Sequence, residues 1–330
     1  MTAIDDLSAL DLAALVASRV CHDIISPVGA ITNGLEVLDE EDSGDMKEFA
    51  MELIRKSARQ ASAKLQFARL AFGAAGSAGA EIDLGDAQSV AAGFLANGAK
   101  VIISSRKEKA CEETVERLKG EYGGEIYAIP SDVGQMVGIE HLAGEIAKRE
   151  EKVDVLINNA GVAWGASLDD FPEHGWDKVM DVNVKGVFFL TQKLMPLLRK
   201  SASADSPARV INIASIDGMH TSPMSGYVYG TSKAAVIHLT RFMGSQLAAE
   251  NILVNGIAPG PFPTYMLSTG VGYKGETEGV DWDAIGSRSP SGRVGKPEDI
   301  AGLAMFLSSQ ASAYINGHTI PCDGGIVSAS

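Results

Sequence analysis

Residues 81–107 read EIDLGDAQSVAAGFLANGAKVIISSRK, and how this stretch divides decides the fold. Its second half, GFLANGAKVIISSRK, is the end of a helix, a turn at Asn97-Gly98 and an apolar run from Val101 closed by Arg106. β-branched residues favour a strand and glycine supplies the turn, so the segment is one unit of an alternating α/β chain. In such a chain a first strand and a glycine-rich turn stand just before this helix. Here residues 80–87 are AEIDLGDA, with one glycine and three acids.

Downstream the same texture repeats. The runs KVIISS, EIYAI, VDVLIN, RVINIAS, ILVNGIA and GHTIP alternate with helical stretches, which implies a parallel sheet with helices on both faces. Upstream it changes. Apolar positions Val16, Val20, Ile24, Val28, Ile31, Leu35 and Leu38 recur every three or four residues, the spacing of a long amphipathic helix. EEDSGD interrupts it, and a second stripe from Phe49 through Leu53, Ala61, Leu65 and Ala68 to Phe72 runs into FGAAGSAGA. Two such helices make a hairpin that buries its stripes by pairing into a four-helix bundle.

Composition narrows the options. The chain has 330 residues, 45% hydrophobic and 21% charged, with a net charge of -14. That charge excludes a broad nucleic-acid surface, which needs basic patches. Residues 1–86 hold 15 Asp and Glu against 7 Lys and Arg, so the N-terminal quarter reads as a separate module. Cys21, Cys111 and Cys322 are far apart and lack CxxC spacing, which suggests neither a disulfide framework nor a metal site. No run reaches the roughly 18 apolar residues of a membrane helix, and a cytoplasmic location is expected.

The C-terminal part carries residues with recognisable chemistry. Tyr229 and Lys233 stand four apart, so a helix presents both from one face. A phenol titrates near 10 in water, and a neighbouring ammonium is expected to lower that value. Ser215, at the end of the run RVINIAS, is placed to hydrogen-bond the same carbonyl oxygen that Tyr229 would protonate.

With these residues come NNAG at 158–161, DVNVKG around Asn183, INIAS to Ser215, YGTSK from Tyr229 to Lys233, APGPFPT at 258–264 and CDGG at 322–325. In that order they resemble the short-chain dehydrogenase/reductase family, from about Ala92 to the C-terminus. Within it the stretches around 158–190 and 222–235 are similar to 3-oxoacyl reductases of the rhamnolipid-pathway type. The resemblance implies a Rossmann-type sheet and a catalytic set of Asn183, Ser215, Tyr229 and Lys233, with Asn183 serving a proton-relay water. It also implies cofactor contacts at Asp132 and Val133 beside the adenine, Asn158 and Gly161 along the cofactor, Lys233 on the nicotinamide ribose, and Pro259, Gly260 and Thr264 at the nicotinamide end. An acidic residue after the second strand suits NAD and a basic one the extra phosphate of NADP, so Arg106 in SSRK favours NADPH.

In the N-terminal module His22 lies opposite the apolar stripe, next to Asp23 and five residues before Pro27. The pattern H-D-x-x-x-P and residues 7 to about 90 resemble histidine phosphotransferases of the ChpT type. That resemblance makes His22 a phosphoacceptor, Asp23 its acid-base partner and a response-regulator receiver its partner.

The expected organisation is therefore a helical hairpin at 1–78, a junction at 79–91 and a truncated reductase domain at 92–330. Aligned on NGAK, the family's TGxxxGIG would fall on residues 80–87, where only Gly85 is an expected glycine. Loss of the first strand would leave its neighbours unpaired unless AGAEIDLG fills the slot. An NADPH-dependent carbonyl reductase of an acyl-thioester substrate, with weakened cofactor binding, is expected. The alternatives are a phosphorelay module and an inactive fusion of the two. A homo-oligomer is expected on either reading.

Overall fold

In a computed structural model of the chain, the described residues are 85–221, 226–264, 280–329, Met266, Leu267 and parts of 30–57. Their contacts divide them into two compact units: one holds residues of 30–57 with 92–101 and 117–126, the other holds 85–91, 102–116 and 127 onward. Within 30–57 every described residue is helical, and Ala50 and Ser57 are buried. His22, Asp23, residues 79–84 and most of the expected hairpin lie outside the described residues.

The expected runs are all strands: β1 Val101–Ile103, β2 Ile126–Ala128, β3 Val155–Asn158, β4 Ala208–Ile213, β5 Ile252–Pro259 and β6 Thr319–Cys322. Between them run the helices α1 Gly85–Ala96, α2 Glu108–Tyr122, α3 Met136–Arg149, α4 Glu173–Met180, α5 Gly186–Ser201, α6 Tyr227–Leu247, α7 Trp282–Gly286, α8 Pro297–Ser308 and α9 Ile326–Ala329. Helix α1 runs unbroken through the second half of the expected junction.

The strands form two sheets. β3, β4, β5 and β6 pair in that order and in parallel, with Leu156 opposite Val210 and Val210 opposite Val254. β1 pairs with β2 in a separate two-stranded sheet. In a sheet of order 3-2-1-4-5-6 the missing first strand would stand between these pieces, so the break falls where the sequence lacks a strand. Among the described residues none joins β1 to β3.

The larger sheet owes its order to burial. Every residue of β5 but the last is buried, and β4 is buried from Ala208 to Asn212. Strands covered on both sides read as continuous apolar runs, which is the pattern of RVINI and ILVNGIA. Leu156, Val210, Ile252 and Val254 share one core with Ile139, Leu142 and Ile146 of α3 and Leu190, Leu194 and Leu198 of α5. Truncating a fully buried member such as Leu194 would cost about 2–5 kcal/mol. A second cluster joins Ala214, Ile216 and Ala258 to Val236 and Ile237 of α6, and so seats that helix over the strand ends.

Candidate functional site

The carboxyl ends of β3, β4 and β5 carry the residues singled out above. Two residues beyond β4, Ser215 caps a one-turn 3-10 helix, Ile216–Gly218. Its Oγ accepts from the Asp217 amide at 3.2 Å, which leaves its O–H free to donate. The turn is pressed on α6: a Cβ on Gly218 would come within 2.6 Å of the Lys233 backbone, so only glycine fits there.

Helix α6 begins after Gly226 and brings Tyr229 and Lys233 onto one face, as their spacing predicts. The Lys233 ammonium is 5.6 Å from the centre of the Tyr229 ring and donates to the Ile213 carbonyl at 2.8 Å. It is 4% exposed and has no carboxylate partner among the described residues. Burial pushes it down to about 8. Burial likewise pushes Tyr229 up to about 12, the Asp217 carboxylate adds to the rise, and a hydrogen bond with Ser215 opposes it. The ammonium beside the ring does not offset this rise. Desolvation outweighs the pair, because both groups are withdrawn from water by the same turn and strand ends.

Asn183 arrives by a different route. Between α4 and α5 the helix widens into one π-helical turn, Asp181–Lys185. Such insertions are rare and re-aim a side chain. Asn183 is 1% exposed; its Oδ1 accepts from the Val162 amide at 2.9 Å, and its Nδ2 donates to the Val162 carbonyl and to Ser232 Oγ. Ser232 in turn donates to the Tyr229 carbonyl at 2.7 Å. The π turn, the loop after β3 and the first turn of α6 are thereby tied together.

Gly161 stands where these meet. A Cβ there would lie 3.4 Å from Lys233 Nζ and 3.6 Å from Asn183 Oδ1, so its missing side chain leaves room beside the ammonium. Gly260, after β5, is similarly pressed, with a Cβ falling 2.8 Å from the Asp323 Cα. Its amide donates to the Cys322 carbonyl, Pro259 closes β5, and Thr264 Oγ1 accepts from the Leu267 amide. Of these positions, Gly161 is the one that leaves bare backbone beside the buried Lys233 cation.

Asn158 differs from its neighbours. It is buried, and its Nδ2 donates to Thr191 Oγ1 and to Asn212 Oδ1, while Asn212 donates to Thr240 Oγ1. This polar chain knits β3, β4, α5 and α6; Asn158 Oδ1 is left without a partner.

The smaller sheet supplies the remaining candidates. Arg106 follows β1, is exposed, and has no hydrogen-bond or ion-pair partner among the described residues, so it can meet a phosphate. Asp132 and Val133 follow β2 in a turn where Asp132 Oδ1 accepts from the Gly134 amide at 3.0 Å. Helix α1 starts at Gly85, the one matching glycine of the expected phosphate motif. Among the described residues there is no cluster of metal-ligating side chains and no helix long and apolar enough to cross a membrane.

Three contributors were not read from the sequence: Ser232, the Asn212–Thr240 pair and Asp217. Ser232 sits inside YGTSK, and Thr240 lies seven residues beyond Lys233 on the same face, so their positions were available. Their hydrogen bonds were not.

A family model described as Enoyl-(Acyl carrier protein) reductase matches residues 79–327. A rhamnolipids biosynthesis 3-oxoacyl-[acyl-carrier-protein] reductase of Pseudomonas aeruginosa is 43% identical over 241 residues, 73% of this chain and 91% of that protein. Among solved structures, the Pseudomonas aeruginosa RhlG/NADP active-site complex aligns with a TM-score of 0.68 at 42% identity, covering 74% of this chain and 92% of that one. A gluconate 5-dehydrogenase of Burkholderia cenocepacia in complex with NADP and tartrate aligns with a TM-score of 0.66 at 31% identity, covering 75% and 92%. The six motifs, the α/β sheet with its strand ends gathered on α6, and these similarities converge: the chain belongs to the short-chain dehydrogenase/reductase family.

Proposed function

We propose that the chain is an NADPH-dependent carbonyl reductase acting on a 3-oxoacyl-like thioester, with cofactor affinity lowered by the altered phosphate loop. The observation that supports this reading is that Lys233 lies beside the Tyr229 ring and, with Asn183, borders the bare backbone of Gly161. NADPH, when bound, supplies the hydride; the rest is done by the chain. Tyr229, held well above its ordinary value, carries its proton at neutral pH and donates it to the substrate carbonyl oxygen. Ser215, whose oxygen already accepts from Asp217, turns its O–H to the same oxygen and stabilises the charge that develops there. Lys233 is placed to hold the ribose, and Asn183 braces the turn that keeps Gly161 beside it. Arg106 would pair with the extra phosphate of NADP.

The choice of a 3-oxoacyl thioester follows the Pseudomonas aeruginosa relative, whose printed name gives that activity. The weakened affinity rests on residues 80–87, where Glu81 and Ala87 stand in place of phosphate-binding glycines and Glu81 and Asp83 would bring negative charge toward a diphosphate. Loss of NADPH absorbance on adding a 3-oxoacyl thioester tests the reading. Wild type is expected to consume NADPH faster than NADH and Tyr229→Phe to consume neither; equal traces for both proteins would end it.

The H-D-x-x-x-P pattern supports a second reading, a phosphoacceptor at His22 with Asp23 as partner. Label transfer from a phosphorylated receiver to wild type but not to His22→Ala is its expected outcome. If neither assay gives turnover, the inactive fusion is the remaining account.

A further inference from the structure

The loop after β3 holds Gly161 beside the Lys233 ammonium, and residues 159–167 belong to no helix or strand. Such backbone keeps one course only where it is tied down. One tie is at Val162, whose amide and carbonyl are both bonded to the side-chain amide of Asn183. Two bonds at a single residue make a pivot, and a pivot does not fix direction. The second tie is Trp164. Its half-buried indole lies against α4: a Cβ on Gly175 would fall 2.8 Å from the ring atoms Cδ2 and Cε2, so the ring rests on bare helix backbone. His174 meets it edge-on, with ring centres 5.0 Å apart and planes at 87°, and the Lys178 ammonium, one helical turn beyond His174, stands 5.7 Å from the ring centre. Three neighbouring positions on one helix thus form the seat, and the glycine among them is buried.

We propose that Trp164 is a positioning residue which, seated on Gly175, holds the loop after β3 open at Gly161 and so sets how tightly the nicotinamide half of the cofactor is held. The inference rests on the reductase reading of the same site. Helix α4 passes without a break into the π turn that carries Asn183. Val162 and Trp164 therefore hold one continuous helix at two places, which fixes the direction of the loop as well as its position. The space so kept is narrow. A Cβ at Gly161 would already lie 3.4 Å from Lys233 Nζ and 3.6 Å from Asn183 Oδ1, so an inward swing about Val162 closes the opening beside the ammonium. Trp164 acts on the cofactor through Gly161, and the seat at Gly175 is what a single methyl group can disturb.

The test is the kinetics of NADPH consumption with a 3-oxoacyl thioester in wild type, Trp164→Ala, Trp164→Phe, Gly175→Ala and the double variant Trp164→Ala/Gly175→Ala. Trp164→Ala should lower kcat/KM for NADPH by about ten- to a hundredfold, mostly through KM, and leave KM for the thioester within about twofold. Trp164→Phe keeps a ring on the seat and should recover most of the loss. Gly175→Ala is the second handle should Trp164→Ala fail to fold: alanine suits a helix better than glycine, yet its methyl meets the indole, so KM for NADPH should rise in a protein that still melts cooperatively. In the double variant the methyl has no ring to displace, and the two losses should not add. Without cofactor, the Val162 amide should exchange at least about tenfold faster in Trp164→Ala than in wild type. Wild-type KM for NADPH in both single variants, additive losses, or an unmoved Val162 exchange rate would each overturn the proposal. A loss confined to KM for the thioester would overturn it too and make Trp164 a substrate contact. A wild type that consumes no NADPH fails the reductase reading, whereas an active wild type matched by its variants fails this one.

Discussion

The two sheets both carry candidate site residues and are built to different standards. β4 and β5 are six and eight residues long, buried nearly throughout, and deliver Ser215 and the seat of α6. β1 and β2 are three residues each, mostly half-buried, and deliver Arg106 and the Asp132 turn. In the large sheet the groups that move a proton are held by a closed set of bonds from Val162 through Asn183 and Ser232 to Tyr229. The small one carries Arg106 and the Asp132 turn, the candidates for the adenosine end of a cofactor, on a pair of strands that no described residue joins to β3. We propose that proton transfer and the grip on the cofactor's adenosine end are separable in this chain.

The sharpest way to break that comparison is Tyr229→Phe. It should lower the turnover number by about 10^2–10^4-fold and leave NADPH affinity within about twofold, read by steady-state kinetics and fluorescence titration. A parallel loss of affinity would show that the halves are not independent. Amide exchange comes next. The centres of β4 and β5 should exchange at least about a hundredfold more slowly than β1, whose pairing among the described residues is on one side only. The same experiment reads residues 80–84: slow exchange there would mean that AEIDL fills the missing slot, and rapid exchange throughout would dispose of it. Arg106→Glu should raise the NADPH dissociation constant by about tenfold or more at an unchanged saturating rate, since a charge-assisted bond to phosphate becomes a repulsion.

The smallest effect is on stability. Lys233 is held below its ordinary value, so the unfolded chain binds the proton more tightly and folding bears the cost below about pH 8. Wild-type stability should therefore rise from about pH 8 to 10.5 through this group. Lys233→Met should remove that rise and gain roughly 1 kcal/mol at neutral pH while abolishing turnover, by thermal or urea unfolding. Equal pH profiles for the two proteins would remove the assignment.

Much of this was legible in the residues. All six β-branched runs are strands, because burial on both sides leaves continuous apolar sequence. Tyr229 and Lys233 share one face of α6, because four-residue spacing on a helix fixes a common face. AEIDLGDA departs from the family's first strand and glycine loop; residues 79–84 lie outside the described residues, and among those described β1 and β3 do not pair. What spacing does not carry is solvent: Tyr229 and Lys233 four apart suggested an ammonium easing a phenol, whereas the shared burial that moves both against ionisation arises only when the 3-10 turn closes on α6. Nor does any local signal mark the π turn at Asn183, whose side-chain amide is bonded at both ends to Val162, 21 residues earlier.

The central claim is that a complete proton-transfer set survives beside a damaged cofactor grip. The most direct test is the rate of 3-oxoacyl thioester reduction as a function of NADPH concentration up to the millimolar range. The account predicts a saturating curve with an ordinary turnover number of about 1–10^3 s⁻¹ and a raised KM for NADPH, the KM falling on the Arg106 side and the turnover number on the Tyr229 side. A flat line at every concentration, with the protein folded, would contradict it.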